Sequence, residues 1–157
     1  MGVSTNTNDY LTGRKPVPTS ESGHKVLSVR FAVAVGTGDL DLNDIIPIGK
    51  LPAGHVPVDV YVDATDLDSS TAALILDVGV LDSAGTGIST ETADGSGKWG
   101  STTAANTAFN QRIAYYLNAI NAVTKSNSDR TIALKVATAP TAAVAGTIGL
   151  TLFYKPA

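Results

Sequence analysis

Apolar and polar residues alternate with a period of two through most of this chain. Leu27, Val29, Phe31, Val33 and Val35 alternate with Ser28, Arg30, Ala32 and Ala34. Val56, Val58, Val60 and Val62 alternate with Pro57, Asp59, Tyr61 and Asp63, and Leu74, Leu76, Val78 and Val80 with Ile75, Asp77, Gly79 and Leu81. Near the end, Ile132, Leu134 and Val136 alternate with Thr131, Ala133 and Lys135. Ile148, Leu150, Leu152 and Tyr154 then alternate with Thr147, Gly149, Thr151 and Lys155. Side chains on a strand point to opposite faces in turn, so each segment predicts a strand with one buried face.

Between them lie turn signals. Gly36-Thr37-Gly38-Asp39, Leu51-Pro52-Ala53-Gly54-His55 and Ser126-Asn127-Ser128-Asp129 read as turns, and residues 66–71 as a polar loop. Residues 40–50 are interrupted by Pro47, which cannot donate to a central ladder, so they predict an edge strand or an irregular connection. Residues 82–107 are rich in Gly, Ser, Thr and Ala around Trp99 and predict a long loop with a short irregular strand at most. Phe109, Ile113, Tyr116, Leu117 and Ile120 fall at helical spacing, so residues 108–123 leave room for one short helix, although their β-branched and Asn content also suits a strand. No helix–strand alternation suggests a parallel sheet. The fold class expected is all-β: an antiparallel β-sandwich or a jelly-roll-like barrel, residues 25–157 forming the single β-sandwich domain.

Residues 1–24 differ. Their large apolar residues, Met1, Val3, Tyr10, Leu11 and Val17, follow no period, and Lys15-Pro16-Val17-Pro18 resists regular structure. They read as an extended, flexible N-terminal arm, free in solution or laid over a partner. The first residues lack the apolar core of a signal peptide, and secretion by that route is not expected.

The chain has 157 residues, enough for a real core. Charged residues make up 16%, against roughly 25% in typical soluble domains, so the surface is mostly Thr, Ser, Ala, Gly and Asn. Little desolvation opposes covering such a surface. Charge is unevenly spread: residues 39–94 hold eleven carboxylates and one base, whereas residues 98–155 hold six bases and one acid. Either the two halves neutralise each other in the fold, or they make charge-complementary contacts between copies. No basic cluster suits nucleic acid, and no apolar run is long enough for a membrane helix, so neither partner is expected.

Candidate chemistry is sparse. Absence of cysteine removes disulfides and thiolate metal sites. His24 and His55 each lack a second ligand at i+2 or i+4. Asp39-Leu40-Asp41-Leu42-Asn43 imitates the start of a calcium loop but has Asp44 at the glycine position and Lys50 at the bidentate glutamate position. Asp63, Asp66 and Asp68 read as a solvated turn before a weak calcium contact. No serine sits in a nucleophile elbow. Trp99, Tyr115 and Tyr116 could stack a sugar, or serve packing. No enzyme, cofactor or metal is expected.

Three stretches resemble the capsid cement, or head-decoration, proteins of tailed phages. They are Ile45-Ile46-Pro47-Ile48-Gly49-Lys50-Leu51-Pro52-Ala53-Gly54-His55-Val56-Pro57-Val58-Asp59, then Asp63-Ala64-Thr65-Asp66-Leu67-Asp68-Ser69, and finally Ser128-Asp129-Arg130-Thr131-Ile132 with Ala145-Gly146-Thr147-Ile148-Gly149-Leu150-Thr151-Leu152-Phe153-Tyr154. The match covers framework strands and turns, roughly residues 25–81 and 126–157. The resemblance implies a structural virion protein, made in the host cytoplasm and placed on the outer surface of an icosahedral head. Its partners would be the major capsid protein and further copies of itself, as a homo-oligomer. The residues expected to meet a partner are Tyr10, Leu11, Arg14 and Lys15 in the arm and Trp99 in the long loop. A tail or neck protein, or a carbohydrate-binding β-sandwich using Trp99 and Tyr115, are the alternative readings.

Overall fold

The computed structural model describes residues 8–17, 19, 25–113 and 117–157. Its strands are β1 (Leu27–Val35), β2 (Ile45–Leu51), β3 (His55–Ala64), β4 (Ile75–Val80), β5 (Gly100–Ser101), β6 (Phe109–Arg112), β7 (Arg130–Thr138) and β8 (Gly146–Pro156), with one α-helix among the described residues, α1 (Leu117–Ala122). Two four-stranded antiparallel sheets form, in the orders β1-β8-β3-β6 and β2-β7-β4-β5. Strands pair from the outside of the sequence inward: β1 with β8, β2 with β7, β3 with β6 and β4 with β5. One long hairpin rolled into a sandwich gives this connectivity, which is that of a jelly roll.

The core lies between the sheets and follows the period of two. β1 buries Val29, Phe31, Val33 and Val35; β8 buries Ile148, Leu150, Leu152 and Tyr154; β7 faces them with Ile132, Leu134 and Val136. Each large apolar side chain removed from water contributes about 1.5–3 kcal/mol before ordering costs are set against it. Pro47 lies in β2, an edge strand, where its missing N–H leaves no central ladder bond broken. Just beyond it the register shifts between Pro47 and Gly49. Gly49 is required there, because a Cβ would lie 2.3 Å from Cδ2 of Phe31.

One local expectation changes, an open one is decided, and the long loop proves to hold its short strand. In β3 the register shifts between Pro57 and Asp59, so the alternation does not run through in one phase. His55 and Pro57 point inward before the slip, Val60, Val62 and Ala64 after it, and Val58 is left 38% exposed. Residues 108–123 are not one helix. Residues 109–112 pair with β3 from Tyr61↔Arg112 to Ala64↔Phe109, and only Leu117–Ala122 is helical. Ladder bonds offered by β3 outweigh the weak helix propensity of this stretch. The long segment 82–107 has defined structure: a bridge from Leu81 to Ile88, a short 3-10 turn at Thr92–Asp94, and β5.

The charge asymmetry is partly cancelled in the fold. All four ion pairs among the described residues join the acidic segment to a base outside it: Arg30–Asp63, Lys98–Asp77, Arg112–Asp59 and Arg130–Asp94. Rolling early strands against late ones brings the two halves together.

Candidate assembly surface

The arm is the first element of interest. Within residues 8–17 the chain forms a compact knob seated on its own body. Asn8 organises it: Oδ1 accepts from the backbone N–H groups of Tyr10 (3.1 Å) and Leu11 (3.0 Å). The Asn8 carbonyl accepts from Thr12 N at 3.1 Å, and Asp9 O from Lys15 N at 2.9 Å. Gly13, at φ 76°, makes the left-handed residue that ends the turn. Asn8 Nδ2 donates to the carbonyl of Ile48 on edge strand β2. The Tyr10 ring meets Phe31 of edge strand β1 edge-on, with centroids 5.0 Å apart. The knob therefore covers the open side of the sandwich between two edge strands, which would otherwise offer unpaired backbone groups.

The four arm residues expected to meet a partner thus divide. Tyr10 and Leu11 are half-buried, and Tyr10 packs against the core of its own chain together with Val17. Arg14 and Lys15 are exposed at the tip. Arg30, Arg112 and Arg130 each close an ion pair, whereas Arg14 closes none among the described residues.

Trp99 is not at the surface. It is 0% exposed, its Nε1 donates to Asp94 O at 3.0 Å, and its backbone N–H bonds Val78 O at 2.7 Å. Its indole fills the core and holds the long segment down. Arg130 completes that anchorage. Nη1 donates to Ala93 O (3.0 Å) and Asp94 Oδ1 (3.2 Å), and Nη2 to His55 O (3.3 Å). A sugar platform built on Trp99 has no exposed ring, and Tyr115 and Tyr116 lie outside the described residues.

The outer faces of the two sheets differ. Over β4 and β7 the chain covers itself: a Cβ on Gly79 would lie 2.5 Å from Cγ2 of Ile88, and Ala133 is 0% exposed. Asp77 there binds Lys98 Nζ (3.1 Å) and Ser101 Oγ (2.6 Å). Among the described residues the outer face of β1-β8-β3-β6 carries no such cover. It presents a half-buried Tyr61–Phe153 pair with centroids 5.9 Å apart, and Val58. Four of its charges are paired, Arg30 with Asp63 at 2.5 Å and Arg112 with Asp59 at 2.7 Å, and Lys155 stands exposed at its end. The hydrogen bond from Arg30 to Asp63 raises the guanidinium pKa further. The result is a face of small, aromatic and aliphatic residues crossed by two ion pairs, with Lys155 at its end.

The acidic loop has another job. Burial alone would raise the Asp68 pKa, but backbone N–H groups of Ala142, Thr141, Ala73 and Leu74 together hold it below the ordinary carboxylate value. Asp68 is 0% exposed and ties residues 66–74 to residues 141–142 at 3.0–3.1 Å. Asp63 is engaged by Arg30, and Asp66 Oδ1 accepts from Asp68 N at 3.1 Å. The three carboxylates face different donors, and among the described residues no group of three His, Cys, Asp or Glu could hold a metal ion. His55 is buried, with Nδ1 2.8 Å from Ala53 O and its ring against Tyr154; His24 lies outside the described residues. A cleft of about 330 Å³ beside Arg130 is lined by Asp82, Glu91, Asp94 and Asp129.

Several of these residues escaped sequence reading. Asn8 carried a usable signal, since Asn followed five residues later by Gly13 frames a capped turn. The open aromatic face carried none, because which sheet face stays bare depends on where a distant loop lies.

No protein-family profile matches this chain, and no curated protein sequence matches it. Solved structures do. A chain in the capsid of Ralstonia phage GP4 is 27% identical, with TM-score 0.76 over 95% of this chain and 96% of that one. A chain of the capsid asymmetric unit of cyanophage Pam1 is 19% identical, with TM-score 0.52 over 90% of this chain and 95% of that one, and it shares the fold. This chain has a fold found in phage capsids.

Proposed function

We propose that this protein is a non-enzymatic structural component of a tailed-phage virion, a cement protein that sits on the outer surface of the head and strengthens contacts between major capsid subunits. The observation that carries the reading is the likeness to a capsid chain of Ralstonia phage GP4 along nearly the full length of both chains. No large extra domain separates the two, so the whole jelly roll is the unit of similarity. The physical features agree. A core closed by paired antiparallel strands is stiff. A surface with 16% charged residues loses little on desolvation. Among the described residues one sheet face is uncovered and carries few unpaired charges, and the arm tip presents Arg14 and Lys15 to a neighbour. Many copies on one shell let weak single contacts add through avidity.

The test is addition of purified protein to heads that lack it, with occupancy read by sedimentation and position by cryo-electron microscopy. Regular density outside the shell, together with greater resistance of the heads to heat, is expected. Density confined to tails or necks, or no binding, would overturn the assignment.

A further inference from the structure

We propose that the arm knob, residues 8–17, is exchanged between neighbouring copies: in the assembled state it docks on the β1/β2 side of an adjacent chain, by the contacts it makes with its own chain when the protein is free. The proposal rests on the virion reading for the crowding of copies, but its contacts are already visible in the single chain.

The knob has the properties of an exchangeable element. It is internally bonded, through Asn8 Oδ1, Thr12 N to Asn8 O and Lys15 N to Asp9 O, so it moves as a unit. Among the described residues its attachment to the body is small: the Asn8–Ile48 bond, the T-shaped Tyr10–Phe31 contact, and Val17. The receiving surface is equally definite. Phe31 is held in place where Gly49 leaves room for it, and the Ile48 carbonyl sits on β2, an edge strand among the described residues. Nine residues separate Val17 from Leu27, the start of β1. At roughly 3.3–3.6 Å per extended residue they could span about 30 Å, enough to reach a touching neighbour.

Energetics make exchange a matter of concentration. The contacts are the same in either arrangement, so neither is favoured by bonding. Effective concentration decides between them. In dilute solution the chain's own surface wins. On a shell where copies abut, a neighbour's surface lies at comparable range, and exchange links the copies without any new interface chemistry.

The experiment replaces Tyr10 with the photo-reactive analogue benzoyl-phenylalanine in full-length chains of normal isotopic mass, mixed one to one with unlabelled-crosslinker chains grown in ¹⁵N. Both are bound to heads lacking the protein, occupancy is measured first, and cross-linked peptides are then identified by mass spectrometry after irradiation. The same analogue at Leu11 repeats the measurement, and a cooperative melting transition confirms that each labelled chain folds. Expected are light–heavy cross-links from the arm to peptides containing Phe31 or Ile48 on heads, and light–light ones alone in dilute solution. Light–light cross-links alone on heads, or arm cross-links only to the major shell protein, overturn exchange while leaving the virion reading in place. Failure to occupy heads overturns the virion reading instead. In that case irradiation of the same mixture at millimolar concentration decides exchange, with light–heavy products and a dimer on size exclusion supporting it and their absence overturning it.

Discussion

Gly49 gives the sharpest test of how the arm and the core are joined. Replacing it with alanine would set a Cβ 2.3 Å from Cδ2, 2.5 Å from Cε2 and 2.5 Å from Cγ of Phe31. No carbon pair tolerates such distances, so the ring or strand β2 must move. Phe31 is 0% exposed, and the Tyr10 ring lies against it with centroids 5.0 Å apart, so the ring has no free direction. Overpacking of this kind costs about 1–3 kcal/mol. Against it stands the smaller unfolded-state entropy of alanine, worth about 0.4–1 kcal/mol. The clash wins, and the net loss is about 1–2 kcal/mol. At ~2–4 °C per kcal/mol for a domain of this size, Tm falls by about 2–8 °C. Any shift of the ring presses on Tyr10 and loosens the arm, so trypsin should cut after Arg14 faster than in the parent chain, Lys15 being shielded by Pro16. Gly38→Ala is the control, because a Cβ there meets nothing within 4 Å. Calorimetry and timed proteolysis read both effects. Adding Phe31→Leu to Gly49→Ala should recover part of the loss as a coupling between the two positions. Equal Tm for Gly49→Ala and Gly38→Ala would refute the reasoning.

Two further outcomes follow from the same structure. Asp68 has a folded pKa below its unfolded value of about 3.9. Its contribution is therefore present above the unfolded value and is lost as pH falls through the lower folded one. Denaturation of Asp68→Asn should show a deficit at pH 7 that shrinks below pH ~4, and a deficit independent of pH would refute the tie it makes between the two loops. Trp99, the single tryptophan, should emit as a buried indole and shift to longer wavelength on unfolding. Trp99→Ala should lose about 3–5 kcal/mol in urea denaturation, and a change under ~1 kcal/mol would place the indole outside the core.

Much of this fold is written locally. β1, β4, β7 and β8 each keep one buried face, and a period of two needs no knowledge of the rest of the molecule. Pro47 announces an edge strand for the same reason, since a missing donor is a property of one residue. Phe109 to Ile120 stayed open between helix and strand because five residues at helical spacing do not report that β3 offers an edge beside them. The site was less legible. Residues 1–24 were recognisable as an arm by composition, but the turn that Asn8 organises was not read, and docking on Phe31 and Ile48 depends on residues more than twenty positions away. Trp99 looked available in a polar loop, yet its surroundings, Val78 and Asp94, are brought to it by the sheet.

By itself, then, the order of residues determined that this chain makes half-buried strands, carries no cysteine chemistry, and keeps its charges few and segregated. Tertiary structure alone decided the strand order, the phase slip after Pro57, the inward place of Trp99 and which sheet face stays bare. The reason is range: alternation and turn propensity act between neighbours, whereas pairing, coverage and charge cancellation depend on contacts that exist only once distant strands have been rolled together.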